Sequence, residues 1–143
     1  MTPRERAGRV LLVEDSPGGA HLMRIAFAER LPDVELEIVE TGEQALEALL
    51  EEGAVMPDFV LLDLNLPGLA GHEILAAIRV SDEDRVRRLP VVVLSHSDEE
   101  VDVLRSYDLG ANSHIAKPHS LDALFEIVET LGRYWFGVVS LPA

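Results

Sequence analysis

A doubly wound α/β sandwich is the fold this sequence predicts, and three observations carry the prediction. Three short runs, Arg9–Val13 (RVLLV), Phe59–Leu62 (FVLL) and Val91–Leu94 (VVVL), are nearly continuously apolar rather than alternating, as suits strands covered on both faces of a parallel sheet. Two weaker runs, Glu35–Val39 (ELEIV) and Ser113–Ala116 (SHIA), bring the strands to five. Helix-like stretches separate all of them, and strands alternating with helices are joined by right-handed crossovers that leave every strand C-terminus on one edge of the sheet.

Taken in order, Arg9–Val13 feeds a turn at Pro17–Gly18–Gly19 and a helix over Gly19–Arg30. That turn lacks the Gly-Lys-Ser/Thr ending of a P-loop and the separated glycines of a dinucleotide turn, so it is read as a helix entry. Glu35–Val39 is followed by a helix over Gly42–Glu52, and Phe59–Leu62 by one over Gly71–Val80. The charged stretch Ser81–Arg88 (SDEDRVRR) is expected as a solvated connection to Val91–Leu94. Helices over Asp98–Leu109 and Ser120–Tyr134 flank the last strand. With no internal repeat or linker, the expected organisation is an N-terminal extension over residues 1–8, one domain over 9–134 and a tail over 135–143.

Composition narrows the function classes. The chain has 143 residues, 48% of them hydrophobic, which is enough for one core and too apolar for a disordered chain. Twelve Lys plus Arg against 26 Asp plus Glu give a net charge of −14, which argues against nucleic acid as a partner. The absence of cysteine excludes disulfides, thiolate metal sites and a Cys nucleophile. No apolar run approaches the roughly 18–20 residues of a membrane span, and the start of the chain does not resemble a secretory signal. A cytoplasmic protein with no membrane contact is expected.

The polar residues that follow the apolar runs carry the chemistry. Glu14 and Asp15 follow Val13, Asp63 follows Leu62, Ser95 follows Leu94, and Lys117 lies two residues beyond Ile115. Any one of them could merely mark a solvated strand end, but together they should converge at one rim. Three carboxylates there repel by about 3 kcal/mol per pair at ~5 Å and an effective dielectric near 20. Such a cluster must take up protons or bind a cation. All-oxygen ligation favours a hard ion, Mg2+ above all, which commonly recruits phosphate oxygens as further ligands. Lys117 then supplies a positive charge to a phosphoryl group and Ser95 a hydroxyl, and Asp63 is the candidate nucleophile.

At this point the motifs resemble a known family. Val10–Asp15 (VLLVED), Pro57–Gly71 (PDFVLLDLNLPGLAG), Pro90–Ser95 (PVVVLS) and Gly110–Pro118 (GANSHIAKP), in this order and spacing, are similar to the receiver domain of two-component response regulators. The resemblance covers residues 10 to 134 and implies a flavodoxin-like five-stranded sheet of order 2-1-3-4-5 with five helices. It implies that Asp63 is phosphorylated by a sensor histidine kinase, with Asp15 on Mg2+ directly, Glu14 through water and Asn65 through its backbone carbonyl. It further implies that Ser95 follows the phosphoryl group during switching, that Lys117 pairs with its oxygens, that Gly71 supports the loop after the acceptor strand, and that Pro118 takes the cis form. Glu14–Ala26 (EDSPGGAHLMRIA) and Tyr134–Pro142 (YWFGVVSLP) resemble a narrower group, stand-alone regulators of phytochrome-type kinases.

Two positions depart from that pattern. His114 stands where an aromatic switch residue is usual and can make polar contacts that Phe cannot. His96 follows Ser95 where a small residue is common, which should narrow the path of an incoming phosphodonor. The five histidines show no metal-type spacing, and the segment Asp63–Leu64–Asn65 lacks the second aspartate of the aspartyl phosphatases. A hydrolase or a flavin protein on the same fold is therefore disfavoured, and the chain is expected to be a signalling phosphoacceptor rather than an enzyme.

The last helix has apolar surface to spare. At 100° per residue, Leu124, Phe125, Ile127, Val128, Leu131, Tyr134, Trp135 and Phe136 occupy an arc of roughly 200°, about twice what packing on one sheet requires. The surplus could fold over the chain's own domain. A homodimer interface with Phe125, Val128, Tyr134, Trp135 and Phe136 is the alternative adopted here. With no output domain expected after the receiver region, signalling is expected to run through protein contacts, the competing reading being a receiver-like adaptor that is never phosphorylated.

Overall fold

The computed structural model describes residues 8–64, 71–96 and 99–142. Five parallel strands, β1 (Arg9–Val13), β2 (Glu35–Val39), β3 (Phe59–Asp63), β4 (Val91–Ser95) and β5 (Ser113–Ala116), lie in the order β2-β1-β3-β4-β5. They alternate with α1 (Pro17–Arg30), α2 (Gly42–Leu50), α3 (Gly71–Arg79), α4 (Asp84–Arg87), α5 (Glu100–Asp108) and α6 (Leu121–Gly137). The flavodoxin-like order is the one the motifs imply, with six helices among the described residues instead of five.

Period-two side-chain alternation explains why the central strands are apolar throughout. Leu11, Val13, Val60, Leu62, Val91 and Val93 face the layer formed by α2, α3 and α4, where Leu49, Ile74, Leu75, Ile78 and Val86 meet them. Val10, Leu12, Phe59, Leu61, Val92 and Leu94 face α1 and α6. The register places Val13 opposite Val39 and Leu62, Asp63 opposite Leu94, and Ser95 opposite Ala116. The strands therefore end level with one another, so the polar residues at their ends share one rim.

The extra helix, α4, lies in the stretch expected as a solvated connection. Its turn closes through Val86 N–H to the Glu83 carbonyl and Arg88 N–H to the Asp84 carbonyl, with Arg87 bonded to the Asp84 carboxylate. Val86 is buried in the core. A single helical turn with one apolar residue has no periodicity to detect, which is why the charges around Val86 concealed it.

Arg79 fastens this corner. Its guanidinium donates to the carbonyls of Gly110 (2.8 Å), Arg87 (2.9 Å) and Leu89 (2.6 Å) and to Asn112 Oδ1 (3.0 Å), the oxygen that also accepts from Val91 N–H. Gly110 is left-handed (φ 101°), and a Cβ there would lie 2.9 Å from the Arg79 side chain. One cation thus joins the end of α3, the α4–β4 connection and the turn into β5.

The last helix runs three residues past the expected Tyr134, and its aromatic end closes the bottom of the sheet. Trp135 stacks on Phe59 with ring centroids 5.6 Å apart, and Phe136 tilts against the same ring at 5.7 Å. Val128 is fully enclosed in the core beneath α6. This corrects its placement in a dimer interface: a 200° apolar arc spans both the buried stripe and its flanks, and Val128 falls at the centre of the stripe. Arg30 of α1 lies 5.2 Å over the Phe125 ring and pairs with Glu129 at 2.8 Å. Among the described residues, no helix is long and apolar enough to cross a membrane.

Replacing the Arg79 guanidinium by an apolar chain of similar length strands several carbonyls at once. Arg79→Met is expected to lower unfolding stability by about 2–4 kcal/mol in urea or thermal denaturation. A change under ~0.5 kcal/mol would mean that water replaces the guanidinium without cost.

Candidate functional site

The ends of β1, β3, β4 and β5 each deliver one part of the site. Glu14 N–H donates to the Val39 carbonyl at 3.0 Å, extending the β1–β2 ladder so that the Glu14 side chain turns inward. Asp63 is the last residue of β3 and Ser95 the last of β4, and both are buried. The Lys117 N–H donates to the Ser95 carbonyl at 2.7 Å, which holds the segment after β5 against the end of β4. Lys117 Nζ then donates to Asp63 Oδ2 at 2.9 Å and to Glu14 Oε2 at 3.1 Å. Residues 63, 14 and 117, far apart in sequence, meet at one ammonium.

Glu14, Asp15 and Asp63 each bring a carboxylate oxygen to within 4.8 Å of the others, with Asp15 the most exposed of the three. Both Glu14 oxygens are engaged, Oε2 by Lys117 and Oε1 by the Ser16 N–H at 3.2 Å. Ser16 also caps α1, accepting from the Gly19 N–H at 3.2 Å, so the start of that helix is fixed beside the carboxylates. Asn65, expected to offer its carbonyl, lies outside the described residues.

Burial and charge set the protonation balance. Desolvation, followed by repulsion from Asp63, raises the Glu14 carboxyl above its ordinary 4.5, and Lys117 opposes this only in part. Burial works against the Lys117 ammonium, but its bonds and attraction to Asp63 and Glu14 win and hold it above its ordinary value of 10.5. One cation among three carboxylates leaves the rim net negative, and an all-oxygen donor set this compact fits a hard divalent ion.

Backbone approach constrains the rest. A Cβ on Gly71 would sit 2.7 Å from the Asp63 carbonyl oxygen and 2.6 Å from Leu64 Cα, so only glycine lets α3 begin against the end of β3. The peptide before Pro118 is trans, unlike the cis form expected; the two forms of an X–Pro bond differ by only about 0.5–1 kcal/mol. Beside Glu14 and Lys117 a cavity of about 360 Å³ opens between α1 and α6, with Leu22, Met23 and Leu124 on its apolar side. His96 is exposed and forms one wall of that cavity. His114 lies on β5 with Nδ1 3.0 Å from Ser106 Oγ, a partner that sequence reading missed because a lone serine in a helix carries no pattern.

A parallel α/β sheet whose rim gathers an acidic triad, a hydroxyl and one lysine defines a receiver-type signalling domain. Residues 10–129 match the response regulator receiver domain, and the chain belongs to that family. It is 38% identical over 138 residues to the response regulator Rcp1 of Synechocystis, which spans 94% of this chain and 92% of that protein. The crystal structure of the Mn(2+)-bound form of Rcp1 is similar with a TM-score of 0.83 at 37% identity, covering 95% of this chain and 99% of that one. The phosphorylated cyanobacterial phytochrome response regulator RcpA gives a TM-score of 0.86 at 37% identity, covering 96% and 99%. RPA3017, a response regulator in red light signaling of R. palustris, gives 0.85 at 29% identity, covering 95% and 99%.

The raised Glu14 carboxyl has a definite sign. The folded chain holds this proton more tightly than the unfolded chain, so Glu14 costs stability as pH rises through the interval above 4.5, and the cost is complete once it ionises. Lys117 is protonated throughout that interval and contributes no slope there. With divalent ions chelated, Glu14→Gln is expected to gain stability relative to the native chain between mildly acidic and neutral pH, and to lose that advantage when Mg2+ is added. Parallel thermal denaturation series across pH check this; a difference independent of pH would overturn the electrostatic assignment.

Proposed function

We propose that this receiver domain accepts a phosphoryl group on Asp63 from the phosphohistidine of a sensor kinase of the phytochrome type, and passes the signal on through protein contacts in the cytoplasm. The observation that carries this reading is the bridge from Lys117 Nζ to Asp63 Oδ2 and Glu14 Oε2 at a buried strand end. It orients the Asp63 carboxylate and holds positive charge where phosphoryl oxygens must arrive. The transfer breaks the N–P bond, whose electron pair stays on the imidazole, and forms an O–P bond to Asp63, giving an acyl phosphate. Lys117 exchanges a carboxylate partner for a phosphoryl oxygen, so its charge is never left alone. Ser95, at the end of the neighbouring strand, offers its hydroxyl to the same group.

Asp15 and Asp63, with Glu14 through water, are the residues that would hold Mg2+. That arrangement fits Glu14 having both of its oxygens already occupied. When bound, the ion offsets carboxylate repulsion and the charge on the phosphoryl oxygens. The likeness to RcpA, a phytochrome response regulator, and to RPA3017, a response regulator in red light signaling, supports the choice of kinase class.

Incubation with a phosphorylated phytochrome-type kinase and Mg2+ is expected to label the native chain and not Asp63→Asn, while Lys117→Met slows labelling by about 10²–10³-fold. Labelling that survives Asp63→Asn overturns the acceptor assignment, and a native chain that neither takes label nor responds to beryllofluoride is the adaptor instead.

We further propose that the end of α6 is a homodimer surface. Tyr134 is 49% exposed and Val138, four residues on, is 69% exposed, so they form an apolar strip on one face of the helix end. Tyr134 is braced edge-on by Trp135 at 5.1 Å, and Trp135 and Phe136 remain only half-buried. Rigid aromatic side chains of this kind serve as interface anchors. Sedimentation at tens of micromolar is expected to show a dimer, and Tyr134→Arg to weaken it by roughly 30-fold, on the order of 2 kcal/mol. A native chain that sediments only as monomer would refute the interface.

A further inference from the structure

Helix α5 carries its polarity inverted. Val101, Leu104 and Tyr107 are exposed, whereas the serine hydroxyl of Ser106 is fully buried. Alanine would fill the same space with no polar group to satisfy, and burying a hydroxyl costs free energy unless it is bonded. Here it has three partners: the Asp102 carbonyl at 3.0 Å, His114 Nδ1 at 3.0 Å and His72 Nε2 at 3.4 Å. A bond to the carbonyl one turn back is ordinary for a helical serine and explains only the first.

The donor count decides the rest. A serine oxygen has one proton to give and two lone pairs to receive with. The Asp102 carbonyl can only accept, so it takes the proton, and both imidazole nitrogens must then arrive as N–H donors. We propose that Ser106 is the positioning residue for the switch residue His114, fixing it as the Nδ1–H tautomer and His72 as the Nε2–H tautomer, so that α3, α5 and β5 meet at one buried oxygen.

The arrangement is suited to two states. His114 pairs across the sheet with Val93, two residues before Ser95. If His114 leaves, a buried lone pair of Ser106 loses its donor, so the imidazole and α5 must move together or not at all. Burial, with Arg105 adding to it, pushes the His72 imidazole below its ordinary value, which keeps that ring neutral and its tautomer defined. That the departure of His114 accompanies phosphorylation rests on the reading of Asp63 proposed above; the tautomers do not.

The experiment is long-range ¹H–¹⁵N spectroscopy of the full, uniformly ¹⁵N-labelled chain, at a pH where the rings are neutral. The expected spectrum has a pyrrole-type Nδ1 for His114 and a pyrrole-type Nε2 for His72, and Ser106→Ala abolishes both preferences. A native His114 protonated at Nε2, or a His114 pattern unchanged in Ser106→Ala, would overturn the proposal; the native spectrum decides the tautomers even if the variant folds poorly. Adding beryllofluoride and Mg2+ is then expected to remove the His114 Nδ1 preference. If the Ser95 amide responds and His114 does not, Ser106 is a structural hub and its positioning role fails. If nothing responds, the Asp63 reading fails, and the tautomers still stand on the first spectrum.

Discussion

A single ammonium, that of Lys117, makes the rim of this sheet possible. Ion pairing to Asp63 and Glu14 at 2.9 and 3.1 Å offsets part of the repulsion that three carboxylates within 4.8 Å of one another would otherwise carry. The compensation is incomplete by construction, since one positive charge faces three negative ones. Part of the deficit falls on Glu14, where desolvation and then the charge of Asp63 raise the proton affinity of the carboxyl. A fully neutralised rim would be more stable and chemically inert. The residual negative charge suits the site to a divalent ion.

The rest of the fold keeps this arrangement in place. Parallel strands of similar length end together, and close packing of an apolar layer on either side of β1, β3 and β4 holds them in place. Gly71 lets α3 start directly against Asp63, and Ser16 sets α1 beside Glu14. At the opposite end, Arg79 gathers three carbonyls, two from the end of α4 and the α4–β4 connection and one from the α5–β5 turn.

Much of this was legible in the chain. The runs at Arg9–Val13, Glu35–Val39 and Ser113–Ala116 are strands with those limits, and β3 and β4 extend one residue further, so that Asp63 and Ser95 belong to the strands they were expected to follow. Convergence of the rim residues was readable because parallel topology alone brings strand ends together, whatever the details of packing. What the chain concealed depends on side-chain phase. Val86 makes a one-turn helix without a periodic signal, and Val128 sits mid-stripe in an arc wide enough to suggest a second partner. Ser106 meets His72 and His114 only because three elements pack at a particular rotation, which spacing along the chain does not encode.

That last contact bears on how a receiver of this composition can switch. An aromatic ring at the position of His114 would be held by dispersion and burial, which weaken gradually as the ring moves. An imidazole held by a hydrogen bond to a buried hydroxyl is different, because a bond at 3.0 Å is either made or lost, and losing it in a dry interior exposes an unmatched group. Substituting His for an aromatic residue therefore exchanges a graded restraint for a discrete one. It also ties α3, which bears His72 and begins at Gly71 against the Asp63 backbone, to the hydroxyl that holds His114. The carboxylate rim and the buried hydroxyl then lie on a common set of elements, with α3 packed against Asp63 at its start and bonded through His72 to Ser106.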